Sequence, residues 1–324
     1  MLYPLTFQPR YKERLWGGRE LERLYGKNLP PEKLIGESWE ISDRPGDASI
    51  VANGTLAGTN LRWLMGNHGT EILGGAKPAA EGRFPLLCKI LDAREKLSLQ
   101  VHPPAGKAGE FKGEPKTEMW FIADAAPEAS LYVGLKRGVT RRDFEQKITD
   151  GSVAECFHRL PVQAGDAMFL PSGRVHAIGD GLVIFEIQQN SDTTYRVFDW
   201  NRVGLDGQPR DLHIAQSLAS IDFDDFEPSL VDTEFVANGD IQKRALVSDP
   251  LFNVEVWKLA AGFTGLLTPN KLQIIAVTAG SVEVAANSTS VNLSAGHFCL
   301  IPASLEMTKV STNSEAALLR VEAN

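Results

Sequence analysis

Alternation of apolar and polar side chains is clearest in residues 97–120, LSLQVHPPAGKAGEFKGEPKTEMW. Ser98, Gln100 and His102 alternate with Leu97, Leu99 and Val101, so at the strand period of two the polar set shares one face. Lys116 and Glu118 repeat the pattern opposite Met119 and Phe121, and the Gly-, Pro- and Lys-rich sequence between them reads as a loop. A polar face turned into a sheet costs stability unless something satisfies it, and a metal ion is one such partner. The stretch therefore predicts two strands that supply half of a metal site.

Elsewhere the pattern predicts a mainly β chain with a few short helices. Residues 1–80 mix short strands with small helices: an amphipathic stretch over 20–25, a strand over 36–42 ended by Asp43-Arg44-Pro45-Gly46, and a one- to two-turn helix over 61–65 capped by Thr59 or Asn60. From Phe84 the segments FPLLCKILDA, LSLQVH, EMWFIA and SLYVGL read as strands. Thr140 and Asp143 have the spacing of a capping box and open a helix that stops at Asp150-Gly151, with a second helix expected over 153–158. DAMFLP and GLVIFEIQQ resume the β pattern, and Asp211 is expected to cap another short helix reaching Ala219. Residues 222–250 are acidic and read as an irregular connector. The last 75 residues or so repeat short strands at roughly the 8–12-residue spacing of a barrel or sandwich.

Bulk properties narrow the function. A chain of 324 residues suits two domains or one large β-rich unit. A net charge of −8 argues against a nucleic-acid or anionic-membrane partner, so any phosphate must meet a local basic pocket. Cys88, Cys156 and Cys299 lie far apart, which fits buried thiols in a reducing compartment. With no apolar run long enough for a signal peptide or a membrane span, the sequence predicts a soluble, cytoplasmic protein.

An internal repeat sharpens the picture. Gly165-DAMFL-Pro171-Ser-Gly173-Arg-Val-His176 and Gly296-HFCLI-Pro302-Ala-Ser304 share the Gly-five-Pro spacing, but the second copy has Met307 where the first has His176. Two similar barrels are expected, one holding a metal and one serving as scaffold or interface. The Gly-x5-Pro-x-Gly-x2-His pattern resembles the second motif of the cupin superfamily of jelly-roll barrels. QVHPP, KTEMWFI, LPSGRVHAIGDG and EIQQNSDTTYRVFDWNR, with LWGG near residue 16, resemble the short bacterial type of class I phosphomannose isomerase, and the likeness covers most of the chain.

Two imidazoles and a carboxylate, His102, His176 and Glu118, suit Zn²⁺ but also Fe²⁺ or Mn²⁺. The resemblance implies one zinc ion per chain with Gln100 as a further ligand. It also implies Arg196 as the catalytic arginine, Glu186 and Lys116 as candidates for proton transfer, and Lys89, Asp192 and Trp16 as substrate-lining positions. Lys89, Lys116, Lys136-Arg137 and Arg141-Arg142 are candidates for the phosphate. His68, His158, His213 and His297 match no ligand position. The expected organisation is a metal-binding domain over 1–222 with a helical insertion near 139–160, a connector over 223–250 and a degenerate barrel over 251–324. The expected activity is zinc-dependent interconversion of mannose 6-phosphate and fructose 6-phosphate through a cis-enediol. Two other readings of the same barrel are a 2-His-1-carboxylate iron dioxygenase and a non-catalytic sugar-binding module; fold alone does not choose among them. The degenerate barrel is also a candidate homodimer surface.

Overall fold

In the computed structural model, which describes residues 1–204 and 207–324, the chain is mainly β with a few short helices. Four large antiparallel sheets stack in layers. The outermost holds five strands in the order Tyr195–Phe198, Leu99–Val101, His176–Ile178, Ser130–Leu135 and Phe157–Pro161. Facing it is a six-stranded sheet in the order Ala167–Leu170, Glu118–Ala125, Leu182–Gln189, Leu86–Ala93, Ile35–Ile41 and Arg10–Gly18. A second six-stranded sheet follows, containing Phe252–Leu259, Ala316–Ala323, Gln273–Ala279 and Phe298–Ile301, and a four-stranded sheet closes the stack.

Each interior is apolar for the reason strand alternation requires. Leu91, Trp120, Ile122, Leu131, Met168 and Ile184 fill the first double sheet, and Trp257, Ile275, Val284, Cys299 and Leu318 fill the last. The opposite faces of the two six-stranded sheets share a third core. There Cys88, Phe121, Phe185 and Ile187 meet Val254, Ile274, Leu300 and Val321, and the rings of Phe185 and Phe298 stack 5.6 Å apart. The N-terminal segment is stitched to the far unit by paired bonds between Leu5 and Leu300, at 2.9 and 2.8 Å. Strands buried on both faces, such as Leu86–Ala93, accordingly read as continuous apolar runs.

Helices cover the open face of the five-stranded sheet, where Phe144, Val153 and Ile221 pack on Leu99, Val101 and Leu135. Helix Arg141–Asp150 begins with the expected capping box, Thr140 and Asp143 each accepting the other's backbone N–H, and ends at Gly151 with φ 82°. Other expectations are corrected. Asn60 caps a helix that runs to Leu73, more than two turns past Met65, because Leu64, Met65, Ile72 and Leu73 all bury there. Residues 153–156 form a 3-10 turn and 157–161 a strand, not a second helix. Asp211 is not the cap of the last helix, Ile214–Ser220: the N-cap position falls to His213, and the Asp211 carbonyl accepts from Arg196 instead. The loop between the two polar strands contains a short helix, Ala105–Ala108. Within the stretch expected as an irregular connector, Val236–Asn238 and Ile241–Ser248 are strands of the second six-stranded sheet.

Candidate metal centre and active-site cavity

Strand register delivers the polar side chains to one place. His176 lies opposite Gln100 in the five-stranded sheet, and Arg196 lies opposite Gln100 on its other flank. In the facing sheet Glu186 sits between Lys89 and Trp120 on the neighbouring strands, and Gln188 sits opposite Glu118. Gly173, with φ 98°, makes the turn before His176 and donates its N–H to the carbonyl of His102 at 2.9 Å. A side chain at that φ is disfavoured, so glycine is a geometric requirement of this turn. It ties the two halves of the centre together.

His102, Glu118 and His176 are all buried and bring their donor atoms within 4.8 Å of one another. Each imidazole uses Nδ1 on a backbone carbonyl: His102 on Thr193 O at 2.8 Å and His176 on Arg174 O at 3.0 Å. A carbonyl only accepts, so Nδ1 carries the hydrogen and Nε2 turns its lone pair toward Glu118. The two Nε2 atoms lie 3.5 and 3.4 Å from the Glu118 carboxylate. Burial, reinforced for His102 by the Lys116 ammonium, pushes both imidazoles down to about 4, so they are neutral at pH 7. Burial opposes ionisation of Glu118, but the charge of the Lys116 ammonium outweighs it and holds the carboxyl well below its usual range. Neither Glu118 oxygen receives a well-aligned hydrogen bond from the described residues, although Lys116 Nζ is 2.6 Å from Oε2. An ionised carboxylate and two neutral, pre-aimed imidazoles are the donor set that a divalent cation takes. Gln100 points its amide N–H at His176 Nε2, 3.3 Å away, while its oxygen, the atom that could ligate a cation, accepts from Ser98.

Beside this cluster, sharing Gln100 and Lys116 with it, lies a cavity of about 640 Å³ that is also lined by Trp16, Lys89, Glu186, Asp192 and Arg196. Glu186 receives the Trp120 indole N–H at 2.9 Å and sits 3.1 Å from Lys89 Nζ. Arg196 donates to the Asp211 carbonyl at 2.7 Å, its Nε has no partner among the described residues, and burial, then the nearby Arg210, lowers its pKa. The basic pairs at 136–137 and 141–142 are not brought to the cavity: Arg137 pairs with Glu227 and Arg141 with Glu145 on the surface. His68 pairs with Glu71, and His213 accepts the Arg196 backbone N–H.

Sequence reasoning missed Arg14, Glu37 and Arg210, which also line the cavity. Glu37 is buried and receives Arg14 at 2.6 Å and the Trp39 indole, with Lys89 3.6 Å away. Although its burial opposes ionisation, Lys89 and Arg14 bring its pKa down to about 2. The signal was Glu37 and Trp39 alternating with Ser38 and Glu40 in a strand buried on both faces.

Comparison with known proteins agrees with this geometry. The family model "Phosphomannose isomerase type I, catalytic domain" matches residues 5–128. The chain is 35% identical to mannose-6-phosphate isomerase of Streptococcus mutans, covering 93% of each chain, and 34% identical to ManA of Bacillus subtilis, covering 96% of this chain and 97% of that one. The crystal structure of a Bacillus subtilis mannose 6-phosphate isomerase superposes with a TM-score of 0.89 at 30% identity over 99% of both chains. Fold, site and relatives define the chain as a β-barrel isomerase. It belongs to the mannose-6-phosphate isomerase family, type I. Among the described residues no helix is long and apolar enough to cross a membrane.

Proposed function

We propose that the chain interconverts mannose 6-phosphate and fructose 6-phosphate with one zinc ion held by His102, Glu118 and His176, and with Gln100 as a further ligand. The observation that carries this reading is the ionised Glu118 between two neutral imidazoles, linked through Lys116 to a cavity that Lys89, Lys116, Glu186 and Arg196 line. When bound, zinc would act as a Lewis acid on the sugar's carbonyl and hydroxyl oxygens. The chain's own groups supply the rest. Isomerisation through a cis-enediol moves one proton between C1 and C2, and Glu186 and Lys116 are the groups that exchange it. The Trp120 indole and Lys89 orient Glu186, while the Arg196 guanidinium neutralises negative charge as it develops on the sugar oxygens. Lys89, Asp192 and Trp16 form the sugar-facing wall.

The same reading treats residues 1–222 as the catalytic unit and 251–324 as a metal-free cupin barrel. It also takes three buried, unpaired cysteines as a fit to the reducing cytoplasm. Homodimer formation through the C-terminal barrel belongs to it too, and light scattering on eluted protein tests that point.

A coupled assay of mannose 6-phosphate turnover on as-purified, chelator-stripped and zinc-restored protein is the decisive test. Activity is expected to disappear with the metal and return with zinc. Turnover that survives complete metal removal overturns the reading, and oxygen consumption by iron-loaded protein would replace it with the dioxygenase.

A further inference from the structure

A second polar cleft, of about 520 Å³, lies away from the metal centre between the Ile35–Ile41 strand end, the 43–50 turn and the start of helix Leu61–Leu73. Its lining contains Arg10, Arg44, Arg62 and Arg83, with Asp43 and Glu81 as the acidic members. Four guanidinium groups around one cleft stand out in a chain whose net charge is −8.

Each arginine is held by a neutral main-chain acceptor, a contact that fixes the head group without cancelling its charge. Arg10 Nε donates to Ala48 O at 3.0 Å, Arg62 Nη2 to Gly82 O at 2.6 Å, Arg83 Nε to Ala80 O at 3.0 Å and Arg44 Nη1 to Asn190 O at 2.9 Å. Each arginine also approaches a carboxylate, but three carboxylates serve the four guanidinium groups. Arg44 and Arg83 share one carboxylate, Glu114; Arg62 lies 3.3 Å from Asp43; and Arg10 lies 3.7 Å from Asp47, which Lys12 already occupies at 2.5 Å. Arg83 is only 5% exposed, and its Nη1 has no hydrogen-bond partner among the described residues. A buried, charged N–H group without an acceptor is costly, and an anion in the cleft is the partner that would relieve it. Planar guanidinium forks match phosphate oxygens in pairs, and the volume is that of a small-ligand site.

We propose that this cleft is a second anion site, distinct from the catalytic cavity, that takes a small phosphorylated metabolite through Arg10, Arg62 and Arg83. The site's ligand class is a phosphomonoester; its charge, not the sugar chemistry of the catalytic cavity, drives recognition.

The test is titration of zinc-loaded protein with inorganic phosphate, followed by calorimetry or phosphorus NMR. It uses wild type, Arg196→Ala, and Arg10→Ala with Arg62→Ala combined. Both cleft side chains reach solvent, at 34% and 39% exposure, so their truncation leaves the core intact. Saturable binding is expected to persist in Arg196→Ala and to weaken at least tenfold in the double variant, whose isomerase turnover stays at the wild-type level. Arg62→Lys with Arg10→Lys should recover part of the affinity and so separates charge from folding. Binding that vanishes in Arg196→Ala and is unchanged in the double variant would assign the phosphate to the catalytic cavity alone and overturn the proposal. Absence of saturable phosphate binding in every protein would do so as well.

Discussion

At the scale of single residues, the centre is decided by which charges are left unbalanced. Replacing Glu118 by Gln removes the anionic donor while keeping its shape, and the expected result is protein that purifies with little metal, read by elemental analysis. Arg196→Ala should keep its metal yet lose on the order of 10²-fold in kcat, because a preorganised cation facing developing charge contributes mainly in the transition state. Glu37 adds a pH dependence with a definite sign. Its folded pKa of about 2 lies below the ordinary 4.5, so its stabilising contribution is complete above about pH 4.5 and is lost as pH falls toward 2. The shift corresponds to something on the order of 3 kcal/mol. Acid titrations followed by circular dichroism should therefore show Glu37→Gln with a shallower loss of stability below pH 4.5 than wild type. The variant should also be less stable at pH 7, since Lys89 and Arg14 would be left facing an uncharged partner.

The His102, Glu118, His176 triad was legible in the sequence because alternation and the Gly-x5-Pro-x-Gly-x2-His spacing are local signals. Glu37, Arg14 and Arg210 were not, because their roles exist only once distant strands pair. Lys89 shows the same limit from the other side: its position was readable, but its grip on both Glu186 and Glu37 is a product of register.

At the scale of elements, caps and turns place the strands and helices. The side chain of Asn60 accepts the N–H of Trp63 at 2.7 Å, and Thr140 accepts that of Asp143. Asn60→Ala and Thr140→Ala are each expected to cost about 1 kcal/mol in urea unfolding, with activity unchanged. Strand positions were read well wherever polar and apolar residues alternate or one apolar run is long. Helix ends were read well where a side chain caps them, as at Thr140, and poorly where tertiary contacts decide, as at Leu73 and Asp211. Residues 236–248 were misread because most of that stretch is exposed, with a polar composition that gives no period until it pairs with Phe252–Leu259.

For the whole molecule, the decisive feature is the core shared by the two six-stranded sheets. Phe298→Ala removes a fully packed ring from the junction, and the expected cost is about 3–5 kcal/mol. Calorimetry should show one transition for wild type and one, at lower temperature, for the variant; two separate transitions would mean that the units unfold independently. The chain pairs Leu5 with Leu300 and stacks Phe185 on Phe298, so the sheet of Phe252–Leu259 and Ala316–Ala323 backs the sheet that carries Glu118 and Glu186. The C-terminal unit is thus tied to the candidate site by packing. Its two faces should therefore tolerate change unequally. A library of substitutions across Phe252–Leu259 and Ala316–Ala323 is expected to survive at the positions turned toward the four-stranded sheet when volume is kept. At Val254, Val321 and their neighbours, the same changes should be rejected through the isomerase activity they undermine from behind.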